Sequence, residues 1–209
     1  MSQNHALVLC NGEVPSSEFV KNLRSGASFF IATDGAGNVA LEYGIEPDVI
    51  IGDLDSFVRP DNFDLKLVKD EDQETNDLEK ALSYILRQRF DEVTVIGALG
   101  KRIDHTLKNL SVLKQFTPKF ESLVFRDVYG IIYLLPHEHT LDFPAGTPIS
   151  LFPLSGRVDG IETEGLKYAL YDEPLENGIR DGSSNEIIRQ PAHIRYKSGD
   201  LLIFVGDAM

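Results

Sequence analysis

The first part of the chain alternates short apolar runs with stretches of helical periodicity. This alternation restricts the possible folds more than any other feature of the sequence. We predict strands over 6–9, 28–32, 49–51, 65–68, 92–96 and 122–125. We predict the clearest helices over 76–90 and 104–116, the first opening on a capping box of Asn76 and Glu79. Buried strands that alternate with helices predict a parallel sheet with helices on both faces.

The pattern changes near Tyr129. Beyond it, helical periodicity is weak, and apolar stretches such as 131–135, 149–152 and 201–205 are separated by Pro, Gly and Asp. Short strands between such turns are typical of antiparallel sheets. We therefore predict an α/β domain over 1–132, followed by an all-β sandwich domain over 133–209.

Composition excludes several classes of protein. The 209 residues carry a formal net charge of −13, which argues against binding to nucleic acid. The single cysteine, Cys10, excludes a disulfide within the chain and a cysteine-based zinc site, and we predict that it is buried. No signal peptide or membrane segment is visible, so the expected location is the cytoplasm, with no membrane partner.

The segment 50–56 presents two carboxylates directly after an apolar strand. Asp53 and Asp55 are followed by the hydroxyl of Ser56. In an extended chain, residues two apart point to the same side, so both aspartates can reach one ligand. Hard oxygen ligands suit Mg²⁺, which often accompanies phosphates. The alternative is an acidic loop with a turn-forming aspartate.

Other predicted strand ends carry aspartates too, which matters because ligands of parallel sheets bind beyond the carboxyl ends of the strands. Asp34 precedes Gly35 and Asn38, and it either contributes to such a site or simply caps the next helix. Gln73, Thr75 and Asp77 lead into the helix that carries Lys80. Asp77 and Lys80 share a helix face and suit a Mg²⁺-bound polyphosphate, although a surface ion pair is the alternative.

A glycine-rich turn, GALGKRIDH at 97–105, follows another buried strand. Arg102 can clamp phosphate and Asp104 can hold a metal or position a hydroxyl, whereas His105 is expected to cap or pack at the helix start. The spacing is not that of a Walker loop. In the second part, Tyr168 and the Ser184–Asn185 pair lie in segments with short polar side chains that can donate and accept hydrogen bonds. An ordinary β-turn is the alternative explanation of these segments.

Taken together, these segments resemble the thiamine pyrophosphokinase family. The resemblance is carried by DGAGN at 34–38, PD at 47–48, IGDLDS at 51–56, QETNDLEKAL at 73–82 and GALGKRIDH at 97–105. GLKY at 165–168 and SSN at 183–185 resemble the C-terminal domain of that family. Tyr168 stands where the family often has tryptophan, and this chain has none.

The resemblance implies transfer of pyrophosphate from ATP to the hydroxyl of thiamine, giving thiamine diphosphate and AMP. It implies an ATP- and Mg²⁺-binding first domain, a thiamine-binding second domain, and a homodimer with thiamine at the subunit interface. Asp53, Asp55 and Asp77 match Mg²⁺ and phosphate ligands. The family's nucleotide and substrate contacts correspond to Asp34, Gly35, Asn38, Ser56, Gln73, Thr75, Lys80, Arg102 and Asp104 of this chain. Its thiamine contacts correspond to Tyr168, Ser184 and Asn185.

For the mechanism, we expect Lys80 and Arg102 to offset charge at the attacked phosphorus. Asp104 or Asp34 would orient or deprotonate the thiamine hydroxyl, and the sequence does not choose between them. Three alternatives remain at this point: a pyrophosphokinase for another alcohol such as a pterin, a non-catalytic nucleotide or thiamine binder, and a Ca²⁺-dependent structural module.

Overall fold

A computed structural model describes residues 4–61 and 65–207 of the chain. It divides into two compact units, Met1–Val128 and Tyr129–Met209. The division lies before the boundary expected at 132/133 because Gly130–Leu134 forms a strand that pairs along its whole length with another strand of the second unit, Leu201–Gly206. Each unit has its own fold and core.

The described residues of the first unit form six parallel strands in the order β4-β3-β2-β1-β5-β6. The strands are β1 (His5–Leu9), β2 (Phe29–Thr33), β3 (Val49–Gly52), β4 (Leu67–Lys69), β5 (Glu92–Ile96) and β6 (Ser122–Arg126). The order reverses direction between β1 and β5, which makes their carboxyl ends the switch point of a doubly wound sheet.

Four helices connect these strands, and both faces of the sheet are buried. The helices are α1 (Ser17–Gly26), α2 (Ala36–Glu42), α3 (Asp77–Arg87) and α4 (Ile103–Phe116), and a 3₁₀ turn, Thr117–Lys119, follows α4. Val20 of α1 and Ala40 of α2 pack with Leu7 and Phe30 on one face. Alternate strand residues such as Val8 are also fully buried, as a sheet covered on both sides requires.

Local sequence explains where α3 begins and ends. The side chain of Asn76 accepts a hydrogen bond from the backbone N–H of Glu79, and the Glu79 carboxylate accepts one from the backbone N–H of Asn76. This confirms the predicted capping box. The helix ends at Arg87, before the expected Phe90, because Arg89 adopts a left-handed backbone with φ of 64°.

The second unit is a β-sandwich, as predicted. The eight strands within residues 129–207 are β7 (Gly130–Leu134), β8 (Glu138–Leu141), β9 (Pro148–Pro153), β10 (Val158–Glu164), β11 (Tyr171–Leu175), β12 (Gly182–Glu186), β13 (Ala192–Arg195) and β14 (Leu201–Gly206). They form two antiparallel layers, β12-β9-β14-β7 and β11-β10-β13-β8. Residues of both layers, such as Leu151 and Ile161, share one core.

In the described part of the chain, no helix combines the length and the hydropathy that a membrane crossing would need.

Candidate functional site

A cleft of about 500 Å³ opens in the first unit, beyond the carboxyl ends of its strands. Eight residues singled out from the sequence line it: Asp34, Asp53, Ser56, Gln73, Thr75, Asp77, Lys80 and Arg102. They come from segments that follow β2, β3, β4 and β5, so the sheet brings together motifs that lie far apart in the chain.

Three carboxylates of this region form a cluster. Asp34, Asp53 and Asp55 each offer an oxygen, and these oxygens all lie within 4.8 Å of one another. Asp34 is buried, Asp53 half-buried and Asp55 exposed. A set of carboxylate oxygens at this spacing fits a hard divalent cation such as Mg²⁺. The structure thus brings Asp53 and Asp55 together with Asp34, whereas the set expected from the sequence contained Asp77.

The segment with Asp53 and Asp55 does not have the extended conformation predicted for it, although the two side chains do converge. β3 ends at Gly52, and Leu54 between the aspartates adopts a left-handed backbone with φ of 63°. The segment is therefore a turn and not an extended chain. The backbone N–H of Asp55 donates to Oδ1 of Asp53 at 3.3 Å, which holds this turn in place.

Asp77 lies beside the cluster. A Cβ placed on Gly52 would lie 2.9 Å from Cβ of Asp34 and 3.2 Å from Oδ1 of Asp77, so only glycine lets both aspartates come this close to the end of β3. Burial raises the pKa of Asp77, and the charges of Asp34 and Asp53 raise it further against the opposing effect of Lys80.

Lys80 is a buried cation and not part of a surface ion pair. Its side chain is only 4% exposed, and its Nζ lies 3.6 Å from Oδ1 of Asp77. The same Nζ donates to the backbone carbonyl of Asp70 at 2.9 Å. Lys80 therefore connects the first turn of α3 to the segment 70–75 that carries Gln73 and Thr75.

Asp34 does not cap the helix that follows it. Helix α2 has Gly35 at its N-cap position, with no side-chain cap, and Oδ1 of Asp34 accepts instead from the backbone N–H of Ser56 at 3.3 Å. Asn38 lies outside the cleft lining. Its side chain donates to the carbonyl of Ser56 and accepts from the N–H of Val58, so it holds the segment that follows Asp55.

Arg102 and Asp104 pair with each other on an exposed surface. The Nε of Arg102 donates to Oδ1 of Asp104 at 3.1 Å, and this partner lowers the pKa of Asp104. Arg102 lines the cleft and Asp104 does not. His105, for which capping or packing at the helix start was favoured over a role as a base, also lines the cleft.

Several cleft residues were missed in the sequence. The sequence did not single out Asn11, Gly12 or Asn109, and it gave no role in the site to Asp72, Asn76 and Lys101, which lie in the motifs. Asn11 follows β1 much as Asp34 follows β2, and that parallel was the available signal. The N–H of Gly12 donates to the carbonyl of Gly97 at 2.7 Å, so the segments after β1 and β5 join across the switch point. Buried Cys10 also lines the cleft, and burial raises the pKa of its thiol to about 12.

In the second unit, Asn185 organises the segment around Tyr168. Oδ1 of Asn185 accepts from the backbone N–H of Tyr168 at 3.0 Å, and Nδ2 donates to the carbonyl of Tyr168 at 2.8 Å. Asn185 is buried, whereas Tyr168 and Ser184 are exposed. Ser184 and Asn185 belong to strand β12 and not to the β-turn considered as their alternative.

Fold and site together define a two-domain α/β enzyme class, with an acidic cleft on a doubly wound sheet and an all-β second domain. The first domain matches the model of the thiamin pyrophosphokinase catalytic domain over residues 20–125. The second matches the thiamin pyrophosphokinase vitamin B1 binding domain over residues 137–201. The chain belongs to the thiamin pyrophosphokinase family.

Individual relatives agree with this membership. Thiamin pyrophosphokinase 1 of Caenorhabditis elegans is 30% identical over 93% of this chain and 85% of its own. Thiamine pyrophosphokinase 2 of Arabidopsis thaliana is 31% identical over 87% of this chain and 78% of its own. The yeast thiamin pyrophosphokinase structure covers 99% of this chain and 87% of its own, with a TM-score of 0.84 at 17% identity, and so shares the fold.

Proposed function

We propose that this protein transfers the pyrophosphoryl group of ATP to the hydroxyl of thiamine, giving thiamine diphosphate and AMP. The observation that carries the proposal is the acidic cleft at the strand ends of the domain that matches the family's catalytic model. Pyrophosphoryl transfer needs positioning and charge neutralisation more than covalent chemistry by the protein. A cleft with several acids and a buried lysine offers both.

The donor set supports Mg²⁺ as the cation. Asp53 and Asp55 belong both to the set expected from the sequence and to the cluster of oxygens within 4.8 Å, so we assign the ion to these two, flanked by Asp34 and Asp77. When bound, Mg²⁺ neutralises phosphate charge and orients the phosphate oxygens. This role also explains why several carboxylates are held close together.

Two cations face the phosphates. Lys80 is fixed between Asp77 and the carbonyl of Asp70, so its charge is oriented before substrate binds. Arg102 lines the cleft and keeps further guanidinium N–H groups beyond those that pair with Asp104. We assign to both the neutralisation of charge at the attacked phosphorus.

We assign the role of accepting the hydroxyl proton of thiamine to Asp34 rather than to Asp104. Asp34 lines the cleft and is buried, whereas Asp104 is exposed, lies outside the lining and is engaged by Arg102. The Arg102 guanidinium also lowers the pKa of Asp104, which disfavours this carboxylate as a proton acceptor. Asp104 then acts by holding Arg102.

The second domain supplies the thiamine contacts in this proposal. Tyr168 offers an exposed aromatic ring, and Ser184 and Asn185 lie beside it. We further propose a homodimer with thiamine bound at the subunit interface, and the cytoplasm as the location. Mixed dimers test this arrangement: if each site uses both subunits, coexpressed Asp55→Asn and Tyr168→Ala chains will be more active at low thiamine concentration than either variant alone. Absence of any such gain would contradict the shared site.

The central test is AMP release from ATP, Mg²⁺ and thiamine by the wild-type protein and by Asp55→Asn and Asp77→Asn. We expect AMP to form with thiamine and both variants to lose at least 100-fold in turnover. AMP formation with hydroxymethylpterin but not with thiamine would replace the substrate. Binding of ATP or thiamine without AMP would show a non-catalytic binder, and thermal stabilisation by Ca²⁺ but not by ATP with Mg²⁺ would show a structural module.

A further inference from the structure

Two side-chain amides connect the walls of the cleft. Asn76 is the N-cap of α3, directly before Asp77, and Asn109 lies on α4. Nδ2 of Asn76 donates to Oδ1 of Asn109 at 2.9 Å, and Nδ2 of Asn109 donates to the backbone carbonyl of Ala98 at 2.7 Å. This chain of bonds runs from the helix that carries Asp77 and Lys80 to the glycine-rich turn.

The arrangement fixes the orientation of both amides. Asn109 is 8% exposed, so each of its polar atoms depends on a protein partner or on buried water. Its Nδ2 faces a carbonyl, which accepts only, and its Oδ1 faces the amide donor of Asn76. The other end of Asn76 is also occupied, because its Oδ1 accepts from the backbone N–H of Glu79 at 2.9 Å. Neither amide can flip without losing a bond.

We propose that Asn76 and Asn109 are positioning residues for the transfer reaction, a role that rests on the proposed function. The amide pair sets the distance between the wall with Asp77 and Lys80 and the wall with Ala98 and Arg102. Displacements of about 1 Å between reacting groups can cost about 100-fold in rate. Neither amide needs to touch the substrate for this effect.

The N-cap position allows the two roles of Asn76 to be separated. Serine is as good an N-cap as asparagine, but its hydroxyl is too short to reach Asn109. Asn76→Ser therefore keeps the cap of α3 and removes the connection to α4. A control is Lys108→Gln, which breaks the 2.8 Å ion pair between Lys108 and Glu79 at the same two helices but leaves the amide pair intact.

The experiment measures kcat, the KM values for ATP and thiamine, and the melting temperature of each full-length variant. We expect Asn76→Ser to lower kcat at least tenfold with both KM values within threefold, because the lost alignment acts in the transition state. Its melting temperature should fall by no more than about 4 °C, since the buried Oδ1 of Asn109 loses one partner, and the variant should remain folded at the assay temperature. Lys108→Gln should keep kcat within twofold.

A double-mutant cycle completes the test. In Asn76→Ser with Asn109→Ala, the kcat loss should be no greater than that of Asn109→Ala alone, since the connection is already broken. Normal kcat in Asn76→Ser, an equal loss in Lys108→Gln, additive losses in the double variant, or a loss that only follows the unfolded fraction would each overturn the proposal. Absence of AMP formation by the wild type would instead refute the proposed function.

Discussion

Lys80 lies 3.6 Å from Asp77 across one turn of α3, yet the pKa of Asp77 is raised. The largest cause is burial, and the negative charges of Asp34 and Asp53 add to it. Together these effects exceed the attraction of the lysine. An ionised Asp77 is therefore held at a cost in stability, which is typical of a functional carboxylate.

Replacement of Asp77 should separate stability from activity. We expect Asp77→Asn to lower the rate of pyrophosphoryl transfer at least 100-fold, and to raise the melting temperature in EDTA. A raised pKa means that the native state holds its proton more tightly, so stability is lost as pH rises above the ordinary value of 3.8. The advantage of the variant should thus be larger at pH 7.5 than at pH 4.5.

Thermal unfolding at the two pH values, alongside AMP release, checks this prediction. Glu121→Gln is a suitable control because Glu121 is an exposed acid outside the cleft. It removes one negative charge and should leave activity unchanged. A lower melting temperature for Asp77→Asn than for wild type in EDTA at pH 7.5 would contradict the proposed balance of charges.

Two substitutions of Asp34 separate the effect of its backbone conformation from the effect of its charge. Its φ of 40° places it in the left-handed region, where asparagine is tolerated and alanine is not. We expect Asp34→Asn to fold normally but to lose at least tenfold in kcat and to need more Mg²⁺. Asp34→Ala should in addition lose about 1–2 kcal/mol of unfolding free energy from backbone strain alone.

Denaturant unfolding in EDTA and turnover against Mg²⁺ concentration distinguish the two Asp34 variants. Equal stability of the asparagine and alanine variants would contradict the role assigned to the backbone. Unchanged Mg²⁺ dependence in Asp34→Asn would remove Asp34 from the metal-binding region.

The strands, the helices and the position of the cleft were predictable because they depend on periodicity and on the rule for strand ends. The directions of individual side chains were harder to predict from the sequence. Asp104 follows a strand-end turn as expected, but its side chain lies outside the cleft lining and pairs with Arg102. Asp34, in contrast, joins the carboxylate cluster and has a left-handed backbone. Asn109 lies amid the apolar residues of α4, and only tertiary packing brings it to Asn76 and Ala98.

Cys10 should be unreactive in the native protein. Its thiol is buried with a pKa of about 12, against an ordinary 9.0, so the nucleophilic thiolate is absent at neutral pH. We expect no reaction with iodoacetamide at pH 8 until the protein is unfolded. The unfolded thiol ionises first, so stability contributed by Cys10 is lost between about pH 9 and pH 12.

A Cys10→Ala variant provides the comparison for alkaline unfolding. Wild type should lose more unfolding free energy than the variant as pH rises from 8 to 11, since only wild type carries the titrating thiol. Rapid alkylation of the native protein, or parallel stability curves for the two proteins, would show that the thiol is not buried as described.

Variants of Tyr168 and Asn185 should separate the effect on thiamine binding from the effect on the stability of the second domain. The Asn185 side chain holds three hydrogen bonds, to the N–H and the carbonyl of Tyr168 and to the N–H of Glu186. Asn185→Ala should therefore lower the unfolding free energy by about 2–3 kcal/mol. Tyr168 is 61% exposed, so Tyr168→Ala should leave stability unchanged and raise the KM for thiamine at least tenfold.

The KM for ATP should stay within twofold in Tyr168→Ala, because the acidic cleft lies in the other domain. Tyr168→Trp serves as the matched control, since it keeps an aromatic face at this position and should bind thiamine at least as well as wild type. Isothermal titration with thiamine and steady-state kinetics check both variants. If Tyr168→Ala kept the wild-type KM for thiamine, the aromatic contact would have to be supplied by another residue.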